Sequence, residues 1–260
     1  MTTVLSGLID IVDRRGLLPN DCHAVLLVGS AARGWDNGRS DYDFYVVTTR
    51  SWVSETCQVM AIPLNPPTLP VEILYHAGRR WELKYWLNSQ IDQMLEKVSW
   101  AEFERDRTER PVLSPPEELL LARLTDCALL RGQEWLADRR ARLAESAFRP
   151  IVVARSLAAA DDSVEDAMGQ LAAGQVHSAV LAAKQALGHT VNALLEQHGE
   201  YGSSLSKWRP QRFQAARPAA LSFDDYWELE TMRTYDPLNP GKWINDVLTI
   251  CQDVSAKVTI

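Results

Sequence analysis

Apolar positions recur with a helical period at the start of the chain. Val4, Leu8, Ile11 and Val12 share one face of a helix expected over residues 3–15, which stops at the turn of Gly16. The pattern then changes to short apolar runs. Residues 24–28 are continuously apolar, so a buried strand is expected over 23–28, ended by Gly29. Further strands are expected over 43–47, 58–62, 71–76 and 81–86. A Pro-rich loop (Pro63, Pro66, Pro67, Pro70) separates the third from the fourth, and Ala77-Gly78-Arg79-Arg80 turns the fourth into the fifth. The first 88 residues therefore read as a helix packed on a twisted, mixed sheet.

Beyond Asn88 the chain reads as helical. Pro115-Pro116-Glu117-Glu118 precedes a helix expected over 119–130, with proline placed where a missing N–H costs little. Others are expected over 134–144, 151–160, 164–173, 176–198, 223–233 and 243–254. Small residues along the longest (Ala182, Ala183, Ala186, Gly188, Ala193) suit close packing in a bundle. Two domains follow, 1–88 and 89–260, with a linking helix in the soft boundary between Leu87 and Pro115. No internal repeat or low-complexity segment interrupts them.

Composition narrows the class. Hydrophobic residues make up 46% and charged residues 23%, as in a soluble globular protein, and 260 residues suit two compact domains. No apolar run is long enough for a bilayer, and the N-terminus has no basic region followed by an apolar core. The four cysteines (Cys22, Cys57, Cys127, Cys251) are scattered without a C-x-x-C pair, which argues for a reducing, cytoplasmic setting. The net charge of −7 and the lack of a basic tract argue against a nucleic-acid partner. That charge is either plain solubility charge or the sign of a cleft that concentrates a cationic small molecule. Five histidines (His23, His76, His177, His189, His198) show no metal-ligand spacing.

Candidate chemistry sits in residues 27–43. A strand ends at Gly29, where a ligand can approach the backbone, and Ser30 opens a short helix. The exposed N–H groups and the Ser30 hydroxyl offer a seat for phosphate. Gly34 and Gly38 turn the chain back to Ser40-Asp41-Tyr42-Asp43. Asp41 and Asp43, two apart on an extended segment, project from one face. Paired carboxylates repel unless a cation lies between them, and Mg²⁺ suits such hard oxygen ligands. Either half alone is an ordinary turn. Together, with ten residues between Ser30 and Asp41, they make a unit.

That unit resembles the signature of the DNA polymerase β-like nucleotidyltransferase superfamily: Gly-Ser, a spacer of this length, then Asp-x-Asp. The resemblance implies an α+β protein, with an N-terminal nucleotidyltransferase α/β domain followed by a C-terminal helical bundle. It implies Mg²⁺, two ions, with ATP or another nucleoside triphosphate as co-substrate, and a nucleotide site using Gly29, Ser30 and Ser40. A third carboxylate belongs on a neighbouring strand. Glu72, an acid inside an apolar strand, is the first choice as metal ligand or base beside Asp41 and Asp43; Glu82, beside Lys84, is the rival.

With the helical half included, the chain looks like the antibiotic-modifying branch, the aminoglycoside and lincosamide nucleotidyltransferases. The matching basic residues are Lys184 in an apolar helix and Lys207 in a loop after Gly202-Ser203-Ser204. Lys184 can equally be a surface lysine with its stem on apolar neighbours. Tyr235 faces a base or packs in the core, and Trp35 borders the cleft. The expected partner is a small cationic acceptor, with no membrane, in a monomer or homodimer. Two rivals stay open: a toxin that nucleotidylates tRNA or protein, and a catalytically silent nucleotide-binding or regulatory module.

Overall fold

The structure is a computed structural model that describes residues 2–105 and 112–260, with side chains from Gly7 onward. Val4, expected on the apolar face of the first helix, and residues 106–111 of the expected link lie outside these limits. The chain divides into two compact units, Met1–Ala147 and Phe148–Ile260.

In the first unit, helix α1 (Thr2–Arg14) precedes strands β1 (Cys22–Val28), β2 (Tyr42–Thr48), β3 (Gln58–Ala61), β4 (Thr68–His76) and β5 (Arg79–Leu87), with the one-turn helix α2 (Ser30–Arg33) after β1. Helices α3 (Asn88–Lys97), α4 (Trp100–Arg105), α5 (Pro115–Asp126) and α6 (Gln133–Ala144) follow, and strand β6 (Ala128–Arg131) lies between the last two. The sheet runs β3-β4-β5-β2-β1-β6; β2 and β5 are parallel and every other pair is antiparallel. The expected mixed sheet is present.

Its two faces differ because the register fixes which residues share a row. Glu72, Leu83, Phe44 and Leu27 form one row across four strands; Ile73, Glu82, Asp43 and Val28 form the next, on the opposite face. The first face is apolar: Phe44, Val46, Trp81, Leu83 and Tyr85 pack with Leu8 and Val12 of α1. Trp81 stands edge-on to Tyr42, with ring centroids 5.5 Å apart.

Helices α3 to α6 belong with the sheet, so the boundary expected at residue 88 moves to 147. The physical reason is β6. Leu26 pairs with Leu129 and Leu27 with Ala128, which extends the sheet with residues from the expected helical half. The helix expected over 119–130 correspondingly ends at Asp126, because Cys127 is extended. Its start follows the sequence signals: Pro115 sits in the first turn, and the Glu117 carboxylate accepts from the Ser114 N–H at 2.7 Å. The buried Glu117 also pairs with Lys97 at 2.5 Å, which compensates its charge.

The second unit is helical, as expected. Helices α7 (Phe148–Ala172) and α8 (Val176–Gln197) form a hairpin, followed by a 3-10 turn (Ser206–Trp208), α9 (Arg209–Ala216), α10 (Phe223–Glu230) and α11 (Pro240–Ser255). The core collects Ala183, Ala186, Leu187 and Val191 of α8 with Trp243, Ile244, Val247 and Cys251 of α11. Small residues on α8 admit the neighbouring helices closely. Two helices expected over 151–160 and 164–173 are one. The polar Asp161-Asp162-Ser163 lies within it, the Ser163 hydroxyl donating to the Ala159 carbonyl at 2.8 Å. Among the described residues no helix is long and apolar enough to cross a membrane.

Candidate active site

The buried run of β1 ends at Val28, whose partner on β2 is Asp43. This register places Gly29 over the Asp43 carboxylate. Gly29 has φ +74°, and a Cβ there would lie 2.9 Å from Asp43 Oδ2 and 3.2 Å from Arg123 Nη2. The positive φ favours glycine there, and a Cβ would also have to push the Asp43 carboxylate and the Arg123 guanidinium aside. Gly29 also holds the cap position of α2, so Ser30 is the first residue inside the turn rather than its cap. With only four residues, α2 has little dipole, and any anion seat must come from the turn's N–H groups and the Ser30 hydroxyl.

The connection from α2 to β2 is held by its own polar groups. Ser40 Oγ accepts from the Asn37 N–H at 3.0 Å, and Asn37 Oδ1 accepts from the Arg39 N–H at 2.9 Å. Arg79 donates to Asp36 and to the Asn37 carbonyl while lying over the Tyr42 ring. Ser40 thus closes the loop that delivers Asp41. Trp35 lies under the Arg33 guanidinium, 3.7 Å from the ring centroid, and Arg33 is paired with Asp126.

Three carboxylates share the polar face: Asp41, Asp43 and Glu82. Asp43 sits directly beside Glu82 across the parallel β2–β5 pair. Each acid has a basic partner. Arg80 bridges Asp41 at 2.7 Å and Glu82 at 2.6 Å, and Lys84 takes the other Glu82 oxygen at 2.7 Å. Arg123, reaching from α5, donates to the Tyr45 hydroxyl at 3.0 Å and to Asp43 at 3.4 Å. Burial holds the Asp43 carboxyl above the usual range; Arg123 opposes this, and the neighbouring Glu82 charge adds to it. Burial also acts against Glu82, but the Lys84 hydrogen bond and charge, then Arg80, outweigh it and bring its carboxyl below the usual range.

Glu72 is elsewhere. Its row faces α1, and its carboxylate accepts from the Trp52 indole N–H at 3.0 Å, from the Thr56 hydroxyl at 2.8 Å and from the Ser54 hydroxyl. Burial pushes its carboxyl up, and these three hydrogen bonds, Ser54 first, bring it below the usual range. Trp52 stacks on Tyr85 at 4.8 Å, so Glu72 fastens the segment after β2 onto the apolar face. Of the two candidates for third carboxylate, Glu82 is therefore the acid beside Asp43, and Glu72, the first choice, lies on the opposite face.

The expected nucleotide-binding lysines lie in the second unit. Lys184 Nζ donates to the Glu230 carbonyl at 3.0 Å, and Lys207 stands 5.2 Å from the Trp208 ring centroid. Tyr235 packs edge-on against Trp243 in the core. Arg80 and Arg123 were not anticipated. Both left a trace in the sequence: Arg80, Glu82 and Lys84 alternate along one strand face, and Arg123 is a lone charge inside the apolar run of residues 119–124.

No family model matches the chain, and no curated protein sequence matches it. Among solved structures it resembles the nucleotidyltransferase-like protein from Exiguobacterium sibiricum 255-15, with a TM-score of 0.51 and 12% identity, over 98% of this chain and 75% of that one. The fold is nucleotidyltransferase-like. At that identity the likeness concerns the backbone, so the chemistry has to be read from the side chains.

Within the nucleotidyltransferase-like fold, the donor set suits a hard divalent cation: carboxylate oxygens on one sheet face, one of them destabilised as an anion by burial. Among the described residues, however, no three His, Cys, Asp or Glu side chains converge as a ready-made metal cage. Basic side chains hold the acids instead. The donor chemistry fits a metal, and the present ion pairs would have to rearrange to admit it.

Proposed function

We propose that this protein transfers a nucleoside monophosphate, AMP from ATP, to a hydroxyl of a small acceptor and releases pyrophosphate. One observation carries the reading: the Gly29-Ser30 turn lies against Asp43, with Asp41 and Glu82 on the same sheet face. That arrangement supports phosphoryl chemistry, which calls for backbone N–H groups to hold phosphate beside a set of carboxylates.

In this reading Asp41, Asp43 and Glu82 would hold Mg²⁺, which would neutralise phosphate charge and polarise the α-phosphate. Ser30 and the N–H groups of its turn hold the outer phosphates. The acceptor oxygen forms a bond to the α-phosphorus while the bond to the bridging oxygen of the β-phosphate breaks. The acceptor's proton passes to Glu82, and pyrophosphate departs with the electron pair of the broken bond. The protein's net charge of −7 supports a cationic acceptor of the aminoglycoside type. A contribution of Lys184 or Lys207 to nucleotide binding would be read from KM for ATP in their alanine variants.

The test is incubation of the full chain with each nucleoside triphosphate, Mg²⁺ and a panel of aminoglycosides and lincosamides, read by pyrophosphate release and product mass. The expected result is a product heavier by one nucleotidyl group, lost in Asp43→Asn. Labelling of RNA or protein without any small-molecule product would replace this reading by a toxin-like one. Nucleotide binding without turnover, unchanged in Asp43→Asn, would leave a silent binding module, the reading favoured by the ion-paired state of all three acids.

A further inference from the structure

The three basic side chains at the site are not equivalent. Arg123 is buried, with 13% of its side chain exposed, and is pinned by the Tyr45 hydroxyl as well as by Asp43. Lys84 touches one carboxylate, Glu82. Arg80 alone bridges two acids, Asp41 just before β2 and Glu82 on its own strand, and 30% of its side chain is exposed. It also follows the Ala77-Gly78 turn, where both residues have positive φ, at the end of the β4–β5 hairpin. Its guanidinium can therefore leave without disturbing the core, which Arg123 cannot do.

A guanidinium bound to Asp41 and Glu82 uses carboxylate lone pairs that a divalent cation would need. The two cations compete for the same oxygens, and a divalent ion brings the larger charge. A released Arg80 would lie beside the seat of an anionic substrate, and a planar guanidinium pairs well with phosphate oxygens.

We propose that Arg80 is a resident counter-ion that exchanges: a divalent cation takes over Asp41 and Glu82, and the freed guanidinium binds the phosphates of the nucleotide. Metal and nucleotide then bind cooperatively, because each removes an obstacle to the other. The inference rests on the reading of this face as a nucleotide site. It adds that metal affinity is kept low until nucleotide is present.

The test measures Mn²⁺ binding to the full chain by electron paramagnetic resonance, with and without the α,β-methylene analogue of ATP. Arg80→Ala is expected to bind Mn²⁺ alone about tenfold tighter than wild type, since one charge-assisted competitor is gone. The analogue should tighten Mn²⁺ binding several-fold in wild type and much less in Arg80→Ala, with Arg80→Lys between them. Unchanged or weaker Mn²⁺ binding in Arg80→Ala, or equal coupling in both proteins, would overturn the exchange. Arg80→Gln, which keeps a planar polar group, gives the same comparison if Arg80→Ala melts early. None of these readings needs turnover. A protein that shows the exchange yet transfers nothing would sink the proposed function and leave this inference standing; transfer with no Arg80 effect would do the reverse.

Discussion

The two faces of the sheet each carry a largely buried glutamate, Glu72 on one and Glu82 on the other, one row apart. They solve the same problem differently. Glu72 is met by three neutral donors, an indole and two hydroxyls, all from the segment 52–56. Glu82 is met by two cations on its own strand, Arg80 and Lys84. Both carboxyls end below their usual range. Neutral donors carried by a loop that is itself stacked on the sheet make a fixed fastening. Cations on long side chains make an exchangeable one, because another cation can replace them. An acid within an apolar strand is thus no sign of chemistry by itself; the charge of its partners discriminates.

Variants on the polar face should break activity far more than stability. Asp43→Asn is expected to lower nucleotidyl transfer by roughly 10³-fold, since it removes the anion that lies against the Gly29-Ser30 turn and its hold on a cation. Its melting temperature should stay near wild type, because burial already disfavours the charge of Asp43. Glu82→Gln should lower kcat by about 10²-fold, the scale of a lost proton acceptor, with KM for ATP changing less. Full activity in Glu82→Gln with loss in Glu72→Gln would invert the assignment of the two faces.

The sequence contained enough to place Gly29, Ser30, Asp41 and Asp43 in one unit, because turn glycines and paired carboxylates act through local spacing. It was ambiguous for the third acid. Glu72 and Glu82 lie in strands of unknown register, and a shift of one residue moves a side chain to the other face. The alternation of Trp81, Leu83 and Tyr85 with Arg80, Glu82 and Lys84 contained the answer, whereas Val71, Ile73 and Leu74 around Glu72 do not alternate. Strand β6 was hidden for a related reason. Ala128-Leu129-Leu130 continues the apolar content of α5, and only pairing with β1 distinguishes a short apolar strand from a last helical turn. The unbroken α7 and the helix α9 were likewise decided by packing rather than by local preference.

A third acid sharpens the rule. Glu196 of α8 is fully buried, and burial raises its carboxyl to about 7, against the Ser156 hydrogen bond and the charges of Arg212 and Arg155. Here the available partners do not offset desolvation. The folded state holds its proton where the unfolded chain has lost it, so stability falls as pH rises from the unfolded value of 4.5 to about 7 and is flat above. Glu196→Gln should remove that dependence. Thermal melts of the two proteins should agree near pH 4 and diverge by pH 8, with the variant more stable by about 3 kcal/mol. A constant difference across that range would show that Glu196 ionises normally.

The smallest effect is expected on the apolar face, and it tests the comparison most directly. Glu72→Ala leaves the Trp52 indole and the Ser54 and Thr56 hydroxyls without their acceptor. Some of these donors can turn to water, so the cost should be about 1–2 kcal/mol rather than three full hydrogen bonds. Glu72→Gln keeps one carbonyl oxygen for two of the donors and should lose about half as much. Denaturant titration reads both values, and transfer activity measured well below the melting temperature should match wild type for each. If Glu72→Gln instead lost activity as Glu82→Gln does, neutral donors would not mark a structural acid, and the distinction between the two faces would fail.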